Sequence, residues 1–253
     1  MPPVTATTVG GGPAAWYQSI PPITRAYATA IFVLSLTVRF ELFSPYLIYL
    51  SWPRVLSHFE IWRLVTTFFY LGGVSFPWLF KMMWLLTYGK TLETSTFLHD
   101  PAGFLFMLLF GAGSLLVMSV GAVQLGIRLA FFGSSVIYMI MYVWSRQFPD
   151  QQVSIFGLFT IQAFYVPFFF VAVDFLQGFM PWDDILGIVA GHLYFFLHDL
   201  YPVTSGRQLL GTPRFLQNLL AGWGVGQRVN THAASGQDEF RAFRGRGRRL
   251  GAE

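Results

Sequence analysis

The feature that most constrains this chain is a series of apolar runs, each close to the length needed to cross a bilayer. A helix needs about 20 mostly apolar residues for that crossing. Only 11% of the 253 residues are charged, against about a quarter in ordinary soluble domains. The pattern therefore predicts an all-α polytopic membrane protein and argues against a soluble domain.

Six spans are predicted when the apolar runs are bounded by charges and turn residues. Several are short or contain an ionisable group, which costs roughly 2.5 to 3.5 kcal/mol at mid-membrane on insertion scales. We therefore expect Lys81, Arg128, Asp183 and Asp184 to face protein or a hydrated interior. The predicted spans are residues 23–38, 74–89, 103–120, 122–144, 154–173 and 184–197.

The distribution of basic residues predicts the orientation. An even number of spans places both termini on one side, which then has eleven basic residues against three on the other. This excess predicts cytosolic termini, although the tail supplies most of it and the short loops alone are balanced. The eleven are Arg25, Lys90, Arg146 and the eight arginines beyond residue 201, and the three are Arg39, Arg54 and Arg63.

Composition divides the chain into three parts. Residues 1–22 are predicted to form a cytosolic segment, and residues 23–200 a membrane domain with six helices. The first loop, 39–73, is aromatic and shorter than a span, which favours an interfacial location within the headgroup layer. Residues 201–253 are rich in Gly, Arg, Gln and Ser apart from an apolar stretch at 215–223, and we predict a mostly disordered tail.

The Trp62-Arg63 pair immediately precedes the apolar run of the second span. Its simplest interpretation is an aromatic belt residue beside an arginine that extends to the interface. Alternatively, the pair anchors the loop, with Arg63 binding lipid phosphate or backbone carbonyls.

Gly187 and Gly191 form a GxxxG pair in the predicted sixth span. Small residues four apart allow two helices to approach closely, so helix packing is favoured over a direct role in a substrate path. The neighbouring His192 has no second ligand at metal-binding spacing and is expected to be simply hydrogen-bonded. The chain has no cysteine, and we predict no cofactor and no metal.

The tail ends in FRGRGRRLGAE. One interpretation is a polybasic or RGG-like segment that binds RNA or anionic lipid through charge. The other is a linear peptide motif in which Phe243 and Leu250 enter apolar pockets while Gly245 and Gly247 let the backbone lie close to a partner.

Hydrolytic chemistry would require a serine beside a base. Ser134 and Ser135 lie in the fourth predicted span, and Asp184 and His192 in the sixth. Membrane serines usually bond to the backbone one turn earlier, so a structural role is favoured.

Several separated stretches of this sequence resemble the Derlins, the rhomboid-like pseudoproteases of endoplasmic-reticulum-associated degradation. The resemblance runs nearly end to end and is carried by these stretches in order: WYQSIPPITR (16–25), FEIWR (59–63), LFMLLF (105–110), YVWSRQFP (142–149), GHLYFFLHDLYP (191–202) and FRGRGRRLG (243–251). It implies a six-helix rhomboid-like bundle in the endoplasmic reticulum membrane with cytosolic termini.

The resemblance also implies that the chain is not a protease. Aligned on the YVW of the fourth span, the rhomboid nucleophile position is Gly133, and the catalytic histidine position is Asp184. The oxyanion donors fall near Phe76 and Phe80. Ser134 is one residue out of register, about 100 degrees around the helix, so a hydrolase would lack its machinery.

Residue by residue, the resemblance extends to three motifs. Trp62 and Arg63 match the WR motif of the family's first loop, and Gly187 and Gly191 match its GxxxG. The tail matches the SHP box that binds the N-terminal domain of the valosin-containing AAA ATPase, with arginines at the spacer positions, which should favour an acidic partner surface. The matching tail residues are Phe243, Gly245, Gly247, Leu250 and Gly251.

The function expected from these features is physical rather than catalytic. Short or polar-interrupted helices and an interfacial loop would thin the bilayer and open a polar lateral groove for misfolded luminal or membrane proteins moving to the cytosol. The expected partners are the ATPase, such substrates, ubiquitin-ligase components, lipid and further Derlin copies, but no nucleic acid. Three alternatives remain: an adaptor for the ATPase without a channel role, an intramembrane serine protease, and a transporter, for which no internal repeat was found.

Overall fold

A computed structural model describes residues 12–223 except 128, 156, 179 and 208. The described chain is mostly helical, and its elements follow in one order from α1 to α12. They are α1 Pro13–Gln18, α2 Pro22–Arg39, a 3-10 turn Pro45–Leu47, α3 Trp52–His58, α4 Arg63–Thr66, a 3-10 turn Thr67–Phe69, α5 Phe76–Trp84, a π-turn Leu85–Gly89, α6 Lys90–Thr94, α7 Pro101–Gln124, α8 Gly133–Gln147, β1 Gln152–Ile155, β2 Phe159–Gln162, a 3-10 turn Ala163–Tyr165, α9 Val166–Leu176, α10 Trp182–Phe195, a π-turn Phe196–Leu200, α11 Tyr201–Ser205 and α12 Arg214–Gly222.

The α7 helix agrees with the third predicted span. It begins where the Asp100 carboxylate accepts a hydrogen bond from the Gly103 N–H at 2.9 Å, with Pro101 in its first turn, both typical of a helix start. Among the described residues, it is the single helix both long and apolar enough to cross a membrane. A second apolar helix, Ala163–Leu176, is shorter.

The prediction that the fourth span begins at residue 122 is wrong. Residues 122–124 are the end of α7, and α8 begins only at Gly133. Gly126 has a φ of +74°, and the Ile127 N–H bonds back to the Ala122 carbonyl at 2.9 Å. This left-handed closure at a glycine ends the helix.

The all-α prediction is also corrected. The first part of the predicted fifth span forms an antiparallel hairpin in which Gln152 pairs with Gln162 and Ile155 with Phe159. Gly157 lies in its turn with a φ of +73°, a conformation that glycine adopts without strain. The helical part of this region is therefore limited to residues 163–176.

The predicted boundary at residue 200 is not a structural boundary. The helix that begins at Trp182 continues through the π-turn Phe196–Leu200 to Ser205. A further helix, α12, follows at Arg214–Gly222. The described part of the predicted tail thus contains two helical segments.

The α8 helix lies at the centre of the bundle, with every residue from Gly133 to Ser145 buried. Its closest neighbour is α10, and α5, α7 and α9 also pack against it. This arrangement places the polar residues of α8 inside the protein, where they meet those of α9 and α10.

The start of α2 depends on a residue far away in the sequence. The buried Glu93 carboxylate accepts hydrogen bonds from the N–H groups of Ile23 and Thr24 at 2.9 and 2.7 Å. It also accepts one from the Thr24 hydroxyl at 2.7 Å. Because the first N–H groups of a helix lack partners within it, Glu93 caps α2 from α6.

Candidate functional site: a polar pocket inside the helix bundle

A polar cavity of about 270 Å³ lies between the segment before α5 and the helices α5, α8 and α10. At its wall, the Ser134 hydroxyl donates a hydrogen bond to the buried Asp184 carboxylate at 2.6 Å. Residues from distant parts of the chain meet here because α8 and α10 pack closely. The cavity is lined by Leu71, Gly72, Gly73, Ser75, Pro77, Trp78, Lys81, Ser134, Asp174, Met180, Asp183 and Asp184.

The cavity concentrates charge. Asp174, Asp183 and Asp184 contribute three carboxylates, and Lys81 contributes one ammonium group. The Tyr138 hydroxyl donates to Asp174 at 2.8 Å, so this buried carboxylate is satisfied from α8. Buried carboxylates require such partners, because an unpaired charge away from water is strongly unfavourable.

An apolar gap adjoins the polar cavity between α5 and α9. It has a volume of about 380 Å³, and its walls include Phe80, Trp84, Phe170 and Val173. Lys81 and Asp174 line both spaces. The polar interior therefore lies directly behind a mostly apolar opening between two helices.

The structure brings together three of the four residues predicted for a hydrated interior. Lys81, Asp183 and Asp184 share one cavity, whereas Arg128 lies outside the described residues. Sequence analysis missed Asp174, although one acidic residue within the apolar run of α9 was a usable signal.

Arg63 is fully buried, with 0% of its surface exposed, which excludes a side chain that extends to lipid headgroups. Its Nη1 donates to the carbonyls of Tyr46 and Tyr49 at 2.8 and 2.9 Å, and its Nε pairs with Glu60. The guanidinium also lies 5.1 Å from the Tyr49 ring centroid. Of the two partners considered for Arg63 from the sequence, lipid phosphate and backbone carbonyls, the structure contains the carbonyls.

Trp62, in contrast to Arg63, exposes 50% of its surface. Its indole N–H donates to the Leu47 carbonyl at 3.3 Å. The neighbouring Phe59 and Ile61 are also exposed. Arg63 thus fixes a loop that presents a patch of Phe59, Ile61 and Trp62 on its surface.

The two glycines of the GxxxG pair face α8. A Cβ at Gly187 would lie 2.2 Å from the Ser135 carbonyl oxygen, and one at Gly191 would lie 3.1 Å from that of Met139. Gly187 therefore belongs to a helix contact too tight for any side chain. His192 accompanies the contact through a 2.7 Å hydrogen bond between its Nδ1 and the Tyr142 hydroxyl.

The hydrogen-bond partners of Ser134 and His192 bear on whether the chain could be a serine hydrolase. Ser134 does not bond to the backbone one turn earlier, as expected for a membrane serine, but to Asp184. His192 is engaged with Tyr142 instead. Ser134 thus has a carboxylate neighbour rather than the imidazole that takes the proton in a serine hydrolase.

At the positions aligned with the oxyanion donors, the Phe76 and Phe80 rings pack edge to face with centroids 4.6 Å apart. These rings offer no N–H or O–H donor. Among the described residues, no group of three or more His, Asp or Glu is arranged to hold a metal ion. The tail motif of Phe243, Gly245, Gly247, Leu250 and Gly251 lies outside the described residues.

Comparison with known proteins matches the Der1-like family to residues 20–214. Derlin-1.2 of Zea mays is 38% identical over 241 residues, which cover 94% of this chain and 98% of that protein. Derlin-1 of Arabidopsis thaliana is 40% identical, with coverage of 86% and 80%. A probable derlin-2 homolog of Dictyostelium discoideum is 39% identical, with 82% of each chain covered.

Proposed function

Because the chain belongs to the Der1-like family, we propose that it is a non-catalytic component of endoplasmic-reticulum-associated degradation. It acts in the endoplasmic reticulum membrane with both termini in the cytosol. There it assists misfolded luminal or membrane proteins on their way to the cytosol, together with ubiquitin-ligase components and the valosin-containing AAA ATPase.

The observation that carries the proposal is the polar cavity beside the apolar gap between α5 and α9. A polar segment of a substrate that enters a bilayer loses its hydrogen bonds to water. Lys81 and the three carboxylates of the cavity offer that segment polar partners, and the gap offers a route from lipid. The cavity and the gap together lower the free energy needed to insert the substrate into the membrane. No bond in the substrate is broken.

The length of α9, which has the exposed residues Phe168, Phe175 and Leu176, supports local thinning of the membrane. It has 11 residues, so at 1.5 Å per residue it extends about 16 Å. The hydrocarbon core is about 30 Å thick. A bilayer that adapts to shorter helices thins around them at a modest cost per ångström.

The buried Arg63 supports a role for the first loop in local thinning of the membrane. Because its guanidinium holds two backbone carbonyls and Glu60, the loop presents Phe59, Ile61 and Trp62 from a fixed base. An apolar and aromatic patch of this kind displaces lipid headgroups at the interface.

The experiment uses the full chain reconstituted in vesicles with the ATPase and a misfolded membrane substrate. We expect Trp62→Ala to slow extraction several-fold while the thermal unfolding midpoint stays near that of the parent chain. Trp16→Ala is the matched control, because Trp16 is similarly exposed but lies in α1. Equal rates for both variants would contradict the role of the loop.

Recruitment of the ATPase is proposed for the tail. Phe243 and Leu250 would enter apolar pockets of its N-terminal domain, and the spacer arginines would add attraction to an acidic surface. The test is a pull-down with the full chain and a variant in which Phe243 and Leu250 are alanine, which preserves every arginine. Binding that is lost only at high salt and is unaffected by the alanines would indicate a merely polybasic tail.

An adaptor that recruits the ATPase without a passage is the alternative within the same family. A photo-crosslinker separates the two, and the buried Gly187 position is unsuitable because Ser135 covers it. We therefore place the crosslinker at Val173, in the gap wall, with Val117 on the exposed side of α7 as control. Substrate adducts at Val173 alone support a passage, and none at either position supports an adaptor.

A protease is disfavoured by the Ser134–Asp184 pair. A carboxylate positions the hydroxyl, but hydrolysis needs a base that accepts its proton and donors for the oxyanion. Labelling of the chain by a fluorophosphonate probe, lost on Ser134→Ala, would overturn this assignment.

A further inference from the structure

The α12 helix is attached to the start of α7. The Thr212 hydroxyl, just before α12, donates a hydrogen bond to Asp100 Oδ2 at 2.9 Å. The other oxygen of Asp100 caps α7 through the Gly103 N–H. Leu216 and Leu220 are buried, and α12 packs against α7. One side of this short helix is thus held in a defined place beside the longest apolar helix.

A second apolar side of α12 remains uncovered. Phe215 and Trp223 expose 66% and 72% of their surfaces, and Leu219 is also exposed. At about 100 degrees per residue, these three residues, spaced four apart, lie within about 80 degrees of the helix circumference. Leu216 and Leu220 continue the same apolar arc, whereas the exposed Gln217, Asn218 and Arg214 occupy the opposite side.

The uncovered side is continuous with the apolar surface of the spanning helices. Leu220 and Trp223 form part of the wall of an apolar groove of about 690 Å³. The rest of that groove is lined by apolar residues of α2, α4, the 3-10 turn Thr67–Phe69 and α7, and by Val136 of α8. The lipid-facing surface of α7, including the exposed Leu109, therefore continues onto α12 without a polar border.

We propose that α12 is an interfacial helix, and that Phe215, Leu219 and Trp223 insert into the leaflet at the Asp100 end of α7. The occupant of this surface is lipid rather than another protein because its apolar wall is shared with helices that lie in the membrane. Arg214 and the polar side chains are positioned on the side that faces headgroups and water, as in helices that lie in the interface.

The absence of cysteine in the sequence makes a clean test possible. Leu219→Cys and Asn218→Cys are each labelled with the same environment-sensitive fluorophore in the full chain, reconstituted in vesicles of zwitterionic lipid. Lipids with a nitroxide on the acyl chain are then added as quenchers. We expect several-fold stronger quenching at position 219 than at position 218, because the two residues lie about 100 degrees apart on α12.

Phe215→Cys, one turn before position 219, and Gln217→Cys, on the polar side, provide a second comparison, so the test remains decisive if one variant fails to fold. Equal quenching on both sides of α12 would overturn the proposal. A blue-shifted label at position 219 that lipid quenchers do not reach would also overturn it and would indicate a protein partner, such as a second copy of the chain. Quenching confined to positions 215 and 219 supports insertion.

Discussion

The consecutive helices α7 and α8 contact each other, yet they lie in opposite environments. α7 has 24 residues without a charge, of which eight are buried. α8 has 15 residues, and each one from Gly133 to Ser145 is buried. High hydropathy therefore identifies the helix with the larger exposed surface, whereas α8, which includes polar side chains such as Ser134 and Tyr138, faces protein. The candidate polar cavity is lined by Ser134 of α8 and, among the described residues, by none of α7.

The largest effect on stability is expected from Gly187→Ala, at the contact between α8 and α10. The new Cβ would lie 2.2 Å from the Ser135 carbonyl oxygen, and a helix backbone cannot retreat without separating α8 from α10. We expect a loss of roughly 3 to 5 kcal/mol in the free energy of unfolding, measured by thermal or denaturant unfolding in detergent. Gly113→Ala on α7 is the matched control, because nothing lies within 4 Å of its added Cβ. Equal losses in the two variants would mean that the α8–α10 contact leaves no less space for a side chain than the open position on α7.

A smaller effect is expected from Tyr138→Phe, which removes the 2.8 Å hydrogen bond to the buried Asp174. The remaining hydrogen bond from Gln177 to Asp174 is long, at 3.5 Å, so loss of the tyrosine bond to a buried carboxylate should cost about 1 to 3 kcal/mol in the free energy of unfolding. The comparison on α7 is Ser119→Ala, which removes the 3.0 Å bond from the partly buried Trp52 indole and should cost less, about 1 kcal/mol. A larger loss for Ser119→Ala than for Tyr138→Phe would mean that the buried hydrogen bond of α8 contributes less to stability than that of α7.

Apart from the control variants, the smallest effect is expected from Gly111→Ala, at the contact between α7 and α8. Its Cβ would meet the Sδ of the buried Met139 rather than backbone. Because a thioether side chain can change rotamer, we expect a loss of about 1 to 2 kcal/mol, between those of Gly187→Ala and Gly113→Ala. Unfolding of the three variants in one detergent provides the measurement. A loss as large as that of Gly187→Ala would indicate that Met139 cannot move.

Two helices that depend on residues close together in the sequence were predicted correctly. The α7 helix follows from an uninterrupted apolar run, and α2 spans Pro22–Arg39, close to the predicted 23–38. The break before α8 was missed because Gly126, whose left-handed conformation ends α7, was treated together with Arg128 as part of one apolar run. The hairpin at 152–162 was missed because its residues are apolar enough to resemble a helix.

The candidate site was predictable only in part for a similar reason. Charges inside apolar runs pointed to Lys81, Asp183 and Asp184, but Ser134 and Asp184 are 50 positions apart. Their contact depends on how closely α8 and α10 pack, which no local pattern specifies. The burial of Arg63 was likewise hidden, since its two carbonyl partners lie in a separate turn of the first loop.

The Glu93 cap has a consequence for biosynthesis. Residues 22–39 emerge from the ribosome well before residue 93 is made, so the N–H groups of Ile23 and Thr24 must first be hydrated. Once α6 is synthesised, its carboxylate replaces that water and couples the first long helix to the second. The contact between α8 and α10 requires Gly187 and therefore forms later. We therefore expect assembly in the membrane to begin with α2 and α5–α6, and the cavity to be completed only after α10 is made.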